Sequence, residues 1–205
     1  MDTSMVEQLR RRWPEDWTKL HVYFCPDPVE IAPLVDAYRS VLDGVDFLSP
    51  QPDEWLHATV MVVDGVPARE VSERQRADLE HHLRQAVSEI PAFTLTCGPA
   101  TAGRSSIALD LVPDRDFLRL VDRVKVAAGA VFGPEAVRYS NGRPHITLGY
   151  ARGDGDSGII QTALRNATDL RVTLTVDTVR LVDVLVDTER VQFRWQELAV
   201  LPLQR

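Results

Sequence analysis

His57-Ala58-Thr59-Val60 and His145-Ile146-Thr147-Leu148 repeat one pattern, His, apolar, Thr, apolar, at a separation of 88 residues. Both sit in short runs of β-branched and apolar residues, 56–63 and 145–150, which read as strands. In a strand, residues i and i+2 share a face. His57 and Thr59 therefore project together, with Ala58 and Val60 on the opposite side. His145 and Thr147 stand in the same relation to Ile146 and Leu148. One His-x-Thr in a strand is a weak signal. Two at matched places in a repeat point to a shared groove.

The surroundings repeat as well. Before the first motif, a strand at Leu20–Cys25 leads into a helix capped by Asp27, with Pro28 at its first position, Glu30 completing a capping box and Gly44 ending it. Before the second, a strand at Ile107–Val112 leads into a helix capped by Asp114 and ended by Gly133. From Asp27 to His57 is 30 residues, and from Asp114 to His145 is 31. Each motif is followed by a further helix, 72–90 opened by Ser72 with Gln75, and 157–166, and then by a strand, Phe93–Cys97 or Val172–Val176. Strands at 178–187 and 191–201 close the chain. This strand, helix, strand, helix, strand repeat implies an α+β fold of two similar lobes. The glycine-rich loop at 151–158 reads as mobile.

Composition narrows the class. The 205 residues are 44% hydrophobic and 26% charged, with a net charge of −7, which suits a soluble globular protein. No apolar run approaches the roughly 20 residues of a spanning helix. The acidic balance argues against generic attraction to nucleic acid. Cys25 and Cys97 read as reduced thiols, not a disulfide framework. Residues 4–13 read as a short amphipathic helix packed on the body. They carry Glu7 and Arg10 to Arg12 and no secretory pattern, so the cytoplasm is the expected address. No Cys/His spacing matches a zinc site, and there is neither a Walker loop nor a G-x-G-x-x-G run. No metal, cofactor, membrane or obligatory protein partner is expected.

Two imidazoles and two hydroxyls form a phosphate-directed set. A neutral imidazole accepts a proton while a protonated one donates, and hydroxyls donate to phosphoryl oxygens. The set fits in-line displacement at phosphorus without a metal. Other residues take two readings each. Arg143, two before His145, either faces the phosphate or sits in solvent, and Pro144 leaves the strand start open. Trp55, two before His57, either stacks on a base or packs at the rim. Tyr150 has the parity of Ile146 and Leu148 and is assigned to the core. His21 and Tyr23 share a strand face, and Tyr139 and Arg104 fall in loops. Each of these four either lines the cleft or is structural. His81 and His82 are expected to be exposed.

The paired motifs resemble the 2H phosphoesterase superfamily, and most nearly its bacterial 2′-5′ RNA ligase-like, or RNA 2′,3′-cyclic phosphodiesterase, branch. The resemblance covers roughly residues 20–203. It implies an α+β, bilobal fold, with two pseudo-symmetric lobes whose antiparallel sheets flank a central cleft and whose helices lie outside. The chain then divides into an N-terminal helical extension, 1–19, and one bilobal domain, 20–205. By matching positions, His57 and His145 would be the catalytic pair, and Thr59 and Thr147 would bind phosphate, with Arg143 and Trp55 as further substrate contacts. The implied substrates are 2′,3′-cyclic phosphates on RNA ends or nucleotides, hydrolysed to 2′-phosphates. Run in reverse, the site would act as a 2′-5′ ligase. The alternative is a module that binds RNA ends or cyclic nucleotides without turnover. Two departures bear on substrate choice: Val60 stands where Leu is usual, and the extension lies outside the common core.

Overall fold

The computed structural model describes residues 1–2, 7, 17–139 and 142–204. Apart from Glu7, the helix expected over residues 4–13 lies outside them. In chain order the elements are β1 (Thr18–Phe24), α1 (Pro28–Asp43), β2 (Leu48–Pro50), β3 (Ala58–Val62), α2 (Glu73–Ser88), β4 (Phe93–Ala102) and β5 (Ser106–Val112). Then follow α3 (Asp114–Phe132), β6 (His145–Ala151), α4 (Ser157–Ala167), β7 (Val172–Val176), β8 (Thr178–Asp187) and β9 (Gln192–Pro202). Short 3₁₀ turns cover Asp53–Trp55, Ala68–Glu70 and Pro134–Val137.

The helix ends follow local chemistry. The Asp27 carboxylate accepts from the Val29 N–H at 2.7 Å, and Pro28 opens α1. Ser72 and Gln75 form the expected reciprocal capping box on α2. Asp156 caps α4 through the N–H groups of Gly158 and Ile159. Two expectations fail. Glu30 does not return to its own cap but reaches β7, where it accepts from the Thr175 N–H and hydroxyl, each at 2.8 Å. Asp114 is the first helical residue of α3, and the cap position belongs to Pro113, which has no side-chain acceptor to offer. Gly133 ends α3 at φ 84°, in the region where a side chain is strained.

Two antiparallel sheets result, ordered β3-β1-β8-β9 and β2-β6-β5-β4-β7. The motif-bearing strands hold matched places, β3 beside β1 and β6 beside β5. By the same positions β8 is the counterpart of β4. The sequence repeat had assigned that role to β7, which instead lies beyond β4. The helices are exchanged between sheets. α1, which follows β1 of the first sheet, packs on β7 and α4 of the second. α3, which links two strands of the second, packs on α2 and on β3 of the first. One core runs through this arrangement, from Leu20, Val22 and Phe24 to Ile146, Leu148 and Leu174. Among the described residues, no helix is long and apolar enough to cross a membrane.

Tyr38 of α1 ties a helix to the second sheet. Its buried hydroxyl oxygen accepts the Ala100 N–H of β4 at 3.1 Å. Tyr38→Phe keeps the ring and strands that N–H, at a cost of about 1–2 kcal/mol. The expected outcome is a lower urea midpoint with an unchanged m-value.

Candidate active site

β3 and β6 pack against each other across the two sheets. His145 is the first residue of β6, and His57 immediately precedes β3. Each ring is held in the same way. His57 Nδ1 lies 2.8 Å from the Trp55 carbonyl oxygen, and His145 Nδ1 lies 2.8 Å from that of Arg143. A carbonyl only accepts, so Nδ1 carries the hydrogen in both rings. When a ring is neutral, its lone pair is then on Nε2.

The strand register repeats as closely as the motifs. On β1, Val22 pairs with Met61 and Tyr23 with Thr59, which leaves Val60 as an extra residue in β3. On β5, Ile107 pairs with Gly149 and Ala108 with Thr147, which leaves Leu148 extra in β6. Both bulges fall on the fourth motif residue. A bulge shifts the side-chain alternation by one. Tyr150 therefore leaves the face of Ile146 and Leu148 and joins that of Thr147, with whose hydroxyl it shares a hydrogen bond. It is buried, but in a second cluster with Tyr23, Val182, Val184 and Phe193. The assignment of Tyr150 to the main core is thus corrected. Thr59 is half-buried and Thr147 buried.

Comparison with known proteins shows the family and the fold. Residues 26–188 match the 2′-5′ RNA ligase superfamily. The chain belongs to that superfamily. No curated protein matches its sequence. Among solved structures it is similar to TT0787 of Thermus thermophilus, with TM-score 0.68 and 17% identity over 91% of this chain and 98% of that one. It is also similar to E. coli LigT complexed with 3′-AMP, with TM-score 0.67 and 19% identity over 93% and 100%. A structure described as a phosphoesterase gives 0.67 and 19% over 92% and 99%. Among the described residues, two antiparallel sheets and four helices of two turns or more make up the LigT-like fold that the resemblance implied.

The symmetry between the two motifs stops at the anchors and the bulges. His57 is 7% exposed. The Tyr23 ring stacks on it at 4.0 Å between centroids and 20° between planes. The Trp195 ring meets it edge-on at 5.1 Å, and Phe193 lies at 6.0 Å. Burial disfavours a charged imidazole, and the positive form of His145 repels it further. Together these outweigh the bond to the Trp55 carbonyl and bring the His57 pKa down to about 4. His21, buried on β1 and edge-on to Tyr23, is lowered well below the usual histidine value, by burial first and then by the charges of His57 and Lys19. The counterpart of Tyr23 opposite Thr147 is the small Ala108. His145 is half-exposed and faces Asp110 across β5.

The remaining expected residues divide. The Arg143 guanidinium is turned onto its own sheet, where Nε lies 3.0 Å from Asp110 and an Nη donates to the Thr101 hydroxyl at 3.2 Å. Trp55 sits at the rim, its ring edge-on to Trp195 at 4.7 Å. His21 and Tyr23 lie beneath His57. Tyr139 is close enough to Tyr23 and Tyr150 to act on both phenols electrostatically. Arg104 pairs with Asp2 beyond the far end of β5, away from His145. His81 is exposed and His82 half-buried on α2. Burial raises both thiols, Cys25 and Cys97, to about 12. Sequence reading missed Trp195 and Asp110. Asp110 carried a usable signal, as the only charged residue on the strand face opposite Ile107, Leu109 and Leu111. Trp195 carried none until the β8–β9 hairpin was placed.

The buried histidines imply an acid-sensitive fold. Folded His57 and His21 stay neutral where unfolded histidines, near pH ~6.5, take up protons. Stability from this source is complete above that pH and drains away as pH falls toward 4. His57 alone accounts for on the order of 2–3 kcal/mol. Denaturant melts at pH 7.5, 6 and 5 should show the decline, and His57→Gln should flatten part of it. An equally steep decline in that variant would contradict the assignment.

Proposed function

We propose that this superfamily member is a phosphoesterase that hydrolyses 2′,3′-cyclic phosphates of nucleotides or RNA ends to 2′-phosphates, using His57 and His145 as base and acid. The observation that carries the reading is the paired anchor. Both Nδ1 positions are engaged by backbone carbonyls, which leaves both Nε2 positions for proton transfer. Burial keeps His57 neutral, the form required of a base. His57 takes a proton from water as the water oxygen bonds to phosphorus. The P–O3′ bond breaks, and His145 gives its Nε2 proton to O3′. Thr59 and Thr147 donate to the non-bridging oxygens. Tyr150, hydrogen-bonded to Thr147, leaves that threonine's own hydrogen for phosphate when the phenol acts as the donor. The four side chains complete the reaction without a metal.

Several points support a nucleotide-sized substrate. E. coli LigT has been crystallised with 3′-AMP, with NADP+ and with ATP. The net charge of −7 disfavours long RNA. Hydrolysis is favoured over 2′-5′ joining by the concentration of water.

The test is turnover of a 2′,3′-cyclic mononucleotide, with the product identified as the 2′-monophosphate. His57→Ala and His145→Ala should each lose about 10²–10⁴ in rate. The wild-type pH profile should be a bell, as a paired base and acid require, with its acid limb set by protonation of His57. Wild-type turnover in either variant, or binding without turnover, would contradict the proposal.

A further inference from the structure

We infer that Trp55 and Trp195 form the subsite for the nucleobase, and that they fix which way round a nucleotide enters the site. The inference rests on the phosphoesterase reading for where the phosphate lies. The two rings meet at 4.7 Å and 76°, and Trp195 is 5.1 Å from His57. Both indoles are half-buried, whereas the adjoining Tyr23 and Phe193 are covered. The corner is also held firmly. Gln51 brackets the Phe193 backbone, donating to its carbonyl at 2.7 Å and accepting from its N–H at 3.3 Å. This joins the segment leading to Trp55 to the strand bearing Trp195.

The flanks break the two-fold symmetry of the centre. Trp55 and Arg143 hold the same position, two residues before a motif histidine, and their carbonyls do the same work. Their side chains do not. One offers an apolar ring against Trp195, which itself meets His57. The other offers a guanidinium already paired with Asp110 beside His145. A nucleoside phosphate has no two-fold axis, and its planar apolar part belongs on the indole side. Stacking tolerates every base, because each has a π-face, so the subsite selects for the presence of a base more than for its identity.

The rival role is purely structural, with Trp195 pinning Trp55 so that its carbonyl stays on His57. Calorimetric titration separates the two, using adenosine 2′-monophosphate and a base-free methyl riboside 2-phosphate. Wild type should bind the nucleotide about tenfold or more tightly over the base-free ligand. In Trp195→Leu the gap should close to about twofold, and Trp55→Leu, which keeps the backbone carbonyl, should narrow it too. The ratio within one variant cancels any damage to His57. Equal affinities in wild type, or an unchanged gap in both variants, would overturn the inference. Base-dependent binding in a protein that turns over no cyclic phosphate would uphold the subsite and sink the phosphoesterase reading instead.

Discussion

The bond from each motif histidine to a carbonyl two residues upstream is the constraint around which the site is organised. It costs no side chain, because the acceptor is backbone. It sets the tautomer, and it aims the same nitrogen of both rings away from the strand. For such a bond to form twice in mirrored places, each histidine must stand at the very start of its strand, where the preceding chain is free to curl under the ring. The 3₁₀ turn Asp53–Trp55 supplies that curl before His57, and Pro144, which has no N–H to give a ladder, leaves the strand to begin at His145.

The fold delivers these two strand starts to one place. β3 and β6 occupy equivalent positions in separate sheets, and each carries its bulge at the fourth motif residue. The exchanged helices lock the sheets together, since α1 and α3 each cross from the sheet that begins them to the other. Tyr150 shows what the bulge accomplishes. Without it, the phenol would face the core beside Leu148. With it, the phenol supports Thr147 from the cleft side.

Much of this was legible in the residues. The motif pair, the helix caps at Asp27 and Ser72, and the strand runs follow from local chemistry and periodicity, which act over a few residues. What escaped depends on long-range placement. The bulges left no mark in the apolar alternation, so Tyr150 was assigned to the wrong face. Glu30 has the spacing of a capping box, but Thr175, 145 residues away, offers it two donors. Trp195 reaches His57 only because the β8–β9 hairpin folds over toward the segment that holds Gln51. The same distance explains the asymmetry between the histidines. Two identical motifs acquired unlike surroundings, a stacked tyrosine and indole on one side and a carboxylate with a paired arginine on the other.

A structure with bound nucleoside and orthovanadate, a mimic of five-coordinate phosphorus, would test the central claim most directly. The account predicts one vanadate between the strands, with Nε2 of both His57 and His145 within about 3 Å of its oxygens and both Nδ1–H bonds to Trp55 and Arg143 intact. A vanadate held by one ring alone, or a ring turned so that Nδ1 meets the anion, would contradict it.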